Sequence, residues 1–125
     1  KGGILTIIRD NEPMKGERWI IGGRIERGMK TEDSLTEKVK KECGLDIYDI
    51  KYLGSARVFQ NTEPFGHGKG ADNPVFVYFA RGKGEIKLDA FHKDIEIITP
   101  EKYKTLRKSL HPYIQDFMDE AMKLI

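Results

Sequence analysis

The stretch GRIERGMKTEDSLTEKVKKECGL, residues 23–45, decides the fold. The pair Gly22-Gly23 stops the short apolar run Trp19-Ile20-Ile21 and opens a tight turn. Thr31 then begins a helix with Glu32 and Asp33 in its first turn, where negative charge suits the positive end of the helix dipole. Leu35, Val39 and Cys43 recur at four-residue spacing and form the buried stripe of that helix. Gly44 stops it as a left-handed cap. Cys43 lies on the stripe and reads as a core residue, not a nucleophile.

Outward from this segment the chain alternates strands and helices. Ile4 to Ile8 is a β-rich apolar run ended by the turn cluster Arg9-Asp10-Asn11-Glu12-Pro13. Trp19-Ile20-Ile21 reads as a second short strand, and Tyr52 to Gln60 and Val75 to Ala80 as longer ones. Between these last two lies Asn61 to Asn73, a loop holding Gly66, Gly68 and Gly70, of the kind that usually carries function. Ile95 to Ile98 is a further strand, and Thr99-Pro100 a capped helix start. A last helix begins near His111-Pro112, with Ile114, Phe117, Met118, Ala121 and Leu124 on one apolar face. This order implies an α/β/α sandwich, a mixed β-sheet with flanking helices.

With 125 residues the chain makes one domain, residues 1–125, and Lys1-Gly2-Gly3 reads as a turn that follows an upstream strand. Charged residues at 34% and hydrophobic ones at 38% describe an ordinary globular protein. A net charge of +2 gives no case for a nucleic-acid or membrane partner, and no apolar run reaches membrane-spanning length. A single cysteine excludes an internal disulfide framework and suits a reducing cytoplasm.

The segment 23–45 resembles the Nudix box, GX5EX7REUXEEXGU, in which U is a bulky aliphatic residue. Gly23, Val39, Glu42, Gly44 and Leu45 match it. Met29 stands at the first Glu, Glu37 at the Arg, and Lys38 and Lys41 at two of the three clustered Glu. The resemblance implies a Nudix-type fold and hydrolysis of a diphosphate-linked nucleotide assisted by Mg²⁺ or Mn²⁺, hard cations that take oxygen ligands. Two lysines in place of two carboxylates make the cluster cationic, which disfavours a divalent ion. The pattern is most similar to the GDP-mannose mannosyl hydrolase branch. That likeness implies metal ligands at Glu42 and the Gly22 carbonyl, diphosphate-binding arginines at Arg9 and Arg24, and a catalytic base at His92 in a late loop. Ile21 replaces a proline of that branch, and Phe91 a metal ligand.

Side-chain chemistry supports the same positions. Arginine offers a planar fork that matches phosphate oxygens, which suits Arg9 and Arg24. Histidine titrates near neutrality and suits a general base; His92 is the candidate, His67 in the glycine-rich loop can reach a substrate, and His111 before Pro112 reads as a cap. Lys38 and Lys41 can hold diphosphate in place of a metal. Phe65 can stack on a nucleobase, Trp19 packs against the box, and Phe59, Phe76, Tyr78 and Phe79 read mostly as core. Three functions stay open: a hydrolase of nucleoside-diphosphate sugars, a binding module that does not cleave its nucleotide, and a pyrophosphatase attacking phosphorus. The resemblance also admits a homodimer.

Overall fold

The computed structural model describes residues 2–9, 18–22, 25–60, 71–87 and 92–125, and of these only the backbone at 9, 58–60, 71–73 and 92–94. Arg24, Phe65, His67 and Phe91 lie outside the described residues, as does most of the expected 61–73 loop. In chain order the elements are β1 (Ile4–Arg9), β2 (Arg18–Trp19), α1 (Thr31–Cys43), β3 (Asp46–Gln60), β4 (Ala71–Lys83), β5 (His92–Ile98), α2 (Pro100–Leu106) and α3 (Pro112–Met122). A 3₁₀ turn at Arg107–Ser109 joins the last two.

The strands form two sheets, one ordered β2-β1-β5 and the other a long β3-β4 hairpin. Every pairing among the described residues is antiparallel. Helices flank the strands: α1 and α3 both touch β3, and an added Cβ at Gly54 on β3 would lie 3.4 Å from the Phe117 ring of α3. This is the expected α/β architecture.

The strands run further than their apolar stretches. β3 begins at Asp46, six residues before the apolar run suggests, because register shifts at 48–51 and 52–54 break the period-two pattern. Asp49 takes a positive φ of 51° inside the first of them. β4 takes in 71–73, which the sequence assigns to a loop. β2 covers Arg18–Trp19, so Ile20 and Ile21 fall outside the strand that the sequence gives them.

The core gathers Ile98, Tyr103, Leu110, Ile114 and Met118, with Trp19 and Ile20 packed at its edge. The buried face of α3 is the one its periodicity predicts: Ile114, Met118 and Ala121 are covered. His111 is the cap expected, its Nδ1 accepting the Tyr113 N–H at 3.1 Å. Trp19 packs at the edge of the core. Its ring meets His111 and Tyr113 at 5.5 Å each, because β2 lies beside β1 and faces the start of α3. Phe79 is core, but Phe76 is 51% exposed, since neighbouring residues of β4 face opposite ways and its side is the outer one.

Asp119 ties α3 to the preceding turn. It accepts the Tyr103 hydroxyl and two hydrogen bonds from Arg107, at 2.9 and 2.8 Å. Arg107 first, then Tyr103, holds the Asp119 carboxyl down at about 2, while burial and then Asp119 push Tyr103 up to about 12. On β5, Glu96 accepts from Lys102 and Arg18, and these bonds lower its pKa.

Two stability measurements check this framework. Gly44 sits at φ +79°, and an added Cβ would lie 3.0 Å from the Glu85 carbonyl oxygen. Gly44→Ala should therefore cost at least about 1–2 kcal/mol in urea unfolding. For Asp119 the folded pKa lies below its ordinary value of 3.8, so its contribution is complete above that value and lost as pH falls toward 2. The gap in urea midpoint between the wild type and Asp119→Asn should be open at neutral pH and narrow across that acid range.

Candidate active site

The box segment folds as a loop turned back upon a helix. The N–H of Met29 donates to the Glu26 carbonyl at 3.1 Å, and Gly28, at φ +83°, lets that turn close. The N–H of Glu26 in turn donates to Ser34 Oγ at 3.1 Å. Ser34 is 3% exposed, so the loop is pinned to the buried flank of α1. Lys30 caps the helix by backbone geometry alone, and the Ser34 N–H reaches its carbonyl at 2.9 Å. At the far end Gly44 takes the left-handed conformation the sequence predicts, its N–H on the Lys40 carbonyl. The Lys87 N–H, donating to the Cys43 carbonyl at 2.7 Å, covers another of the helix's last acceptors. Cys43 is fully buried, as its place on the stripe requires.

Lys38, Lys41 and Glu42 occupy one sector of this helix but have different surroundings. The Lys38 ammonium lies 3.3 Å from Glu26 Oε1, with its side chain only 25% exposed. Lys41 is exposed and lines an open groove of about 550 Å³ with Asp33, Thr36, Glu37, Lys40 and Asp46. Glu42 is half-buried, with Oε2 withdrawn from solvent. Glu26 thus cancels one of the two lysine charges, and the cationic cluster read from the sequence becomes close to neutral. Glu26 and Ser34 are the residues that the sequence reading passed over. Ser34 carries a local signal, as a polar residue beside the apolar stripe; Glu26 carries none, because its partner is twelve positions away.

At the end of the three-stranded sheet the register sets Arg9 opposite His92, just past an irregularity between Ile8 and Arg9. Two candidate residues 83 positions apart thereby become cross-strand neighbours along the backbone. His92 is the first residue of β5, not part of the late loop expected for it, because β5 pairs with the full length of β1. Gly22 is exposed, next to a bend at Ile21.

The described residues do not fit a protein-built site for Mg²⁺ or Mn²⁺. Among them no three His, Cys, Asp or Glu side chains lie together. Helix α1 brings a single carboxylate, Glu42, to the sector, beside an ammonium already engaged by Glu26. Magnesium requires six oxygens in near-octahedral array, which one carboxylate and a backbone carbonyl do not supply.

No family model matches the chain. It is 30% identical over 115 residues to an ADP-ribose pyrophosphatase of Methanocaldococcus jannaschii, covering 92% of this chain and 65% of that one. It is 25% identical over 123 residues to the low-salt glycan biosynthesis protein Agl8 of Haloferax volcanii, covering 95% of this chain and 74% of that one. Among solved structures, a hydrolase of the Nudix family from Clostridium perfringens superposes with a TM-score of 0.73 at 16% identity, over 99% of this chain and 90% of the other. The fold of this chain is therefore that of the Nudix-family hydrolase it superposes on.

Proposed function

We propose that this protein is a Nudix-type hydrolase of nucleoside diphosphate derivatives, and that its substrate is a nucleoside-diphosphate sugar. The observation that carries this reading is the β1–β5 register, which sets Arg9 beside His92. The reading takes these two neighbouring positions as a phosphate-binding cation and a general base. The names of the two relatives support the substrate class: ADP-ribose is a sugar linked through a diphosphate to a nucleoside, and glycan biosynthesis consumes activated sugars.

In this reading Arg9 and Arg24 bind the diphosphate through their forked donors. His92 takes a proton from water as its oxygen bonds to the anomeric carbon of the sugar. The bond from that carbon to the phosphate oxygen breaks, and the nucleoside diphosphate leaves with the charge held by the arginines. Attack at carbon suits this chain better than attack at phosphorus, since α1 lacks the full carboxylate set. Phe65 and His67 are proposed to contact the base or sugar. Were a Mg²⁺ or Mn²⁺ ion to arrive on the substrate's own phosphates, Glu42 and the Gly22 carbonyl would be the protein oxygens available to it, and the ion would neutralise diphosphate charge. The protein is proposed to work in the cytoplasm.

A second reading, a binding module without turnover, is favoured by one observation. The Lys38–Glu26 pair stands where the resemblance places a carboxylate for metal. The two readings part in one assay: incubation with ADP-ribose and GDP-mannose in Mg²⁺, in Mn²⁺ and in EDTA. The hydrolase reading expects free mannose and GDP from GDP-mannose, whose diphosphate is on the anomeric carbon, with kcat reduced roughly 100-fold or more in His92→Ala. ADP-ribose, joined through C5 of its ribose, should bind without being cleaved at carbon. Nucleoside monophosphate and sugar phosphate as products would instead place the attack at phosphorus. No product under any condition, from folded protein that binds these nucleotides, establishes the binding module.

A further inference from the structure

We propose that Glu26 is a built-in counter-anion that occupies Lys38 in the empty site and is displaced by the diphosphate of the ligand. This rests on the reading of the site as one that binds diphosphate and adds the element that regulates its occupancy. Two observations combine. The Lys38 side chain is 25% exposed and its Glu26 partner 55% exposed, so the cation is the sheltered member and the carboxylate the one at the rim. The Glu26 main chain is fixed on both sides, by its N–H on Ser34 Oγ and by its carbonyl on the Met29 N–H. The carboxylate can therefore swing away by side-chain rotation while the loop stays in place.

The balance of charge gives the swing its direction. A partly exposed lysine–carboxylate pair at 3.3 Å holds weakly, because water competes for both groups. A diphosphate presents more negative charge and several acceptor oxygens, so it outcompetes one carboxylate for the same ammonium. Once displaced, Glu26 extends into solvent and leaves Lys38 on the phosphate. In the empty protein the pair neutralises a cation that would otherwise attract any passing anion. Glu26 thereby weakens all anion binding at Lys38 and leaves polyvalent ligands the advantage.

The test uses the full chain, inorganic pyrophosphate as probe, and EDTA throughout, with affinity measured by calorimetry at low ionic strength. Glu26→Gln should bind pyrophosphate about 2- to 5-fold more tightly than wild type, the range expected for removing one partly exposed charge. Lys38→Gln should bind it more weakly, and the benefit of Glu26→Gln should vanish in the Lys38→Gln background. Lys38→Arg retains the cation and should retain the benefit, which separates loss of charge from loss of fold. Equal or weaker binding by Glu26→Gln, a benefit that persists without Lys38, or no pyrophosphate binding by wild type in EDTA would each overturn the proposal. Failure of the hydrolase reading appears elsewhere, as absent turnover of nucleotide sugars, and leaves these pyrophosphate affinities untouched.

Discussion

The site depends on a single fold-back: residues 25–30 turn and fasten to the flank of α1 through the Glu26 N–H and Ser34 Oγ. Without that bond the glycine turn and the helix would be two unrelated surface features. With it, a loop carboxylate comes within 3.3 Å of a helix lysine, and the chemistry of the junction is set by which charge each carries. The bond is well placed to matter. Its acceptor is almost wholly buried, so a donor lost there would leave a polar group without water to replace it.

The rest of the fold holds this junction rigid at one end and leaves it open at the other. The C-terminus of α1 is locked by Gly44 and by Lys87 on the Cys43 carbonyl, while Val39 and Cys43 bury its stripe. The three-stranded sheet, backed by the core around Ile98 and Ile114, fixes the β1–β5 register and with it the pairing of Arg9 and His92. Within the box sector the lysine at 38 has its counter-charge in Glu26.

What the sequence discloses here is local. The four-residue stripe of α1, the glycine that ends it, the amphipathic face of α3 and the His111 cap all depend on neighbours within a turn or two. Each is present as read, except that Leu35 of the stripe is only partly buried and Ser34 is the buried residue of that turn. The strand lengths were hidden because the β3 irregularities put Asp46 and Asp49 where an unbroken alternation would not. The packing of Trp19 was hidden for a different reason: its partners His111 and Tyr113 lie more than ninety positions away. The same holds for the site. Lys38, Lys41 and Glu42 could be placed on one helical sector from spacing alone, but Glu26 as the partner of Lys38 depends on a turn whose closure no helical or strand periodicity reports.

The most direct measurement is a crystal structure of this protein with a nucleoside α,β-methylene diphosphate, an analogue whose bridging carbon cannot be hydrolysed. The expected result is diphosphate oxygens within hydrogen-bond distance of Lys38 Nζ, with the Glu26 carboxylate turned out to solvent and its backbone still on Ser34. An analogue bound elsewhere, with the Lys38–Glu26 pair undisturbed, would contradict the view that this junction is where the diphosphate is held.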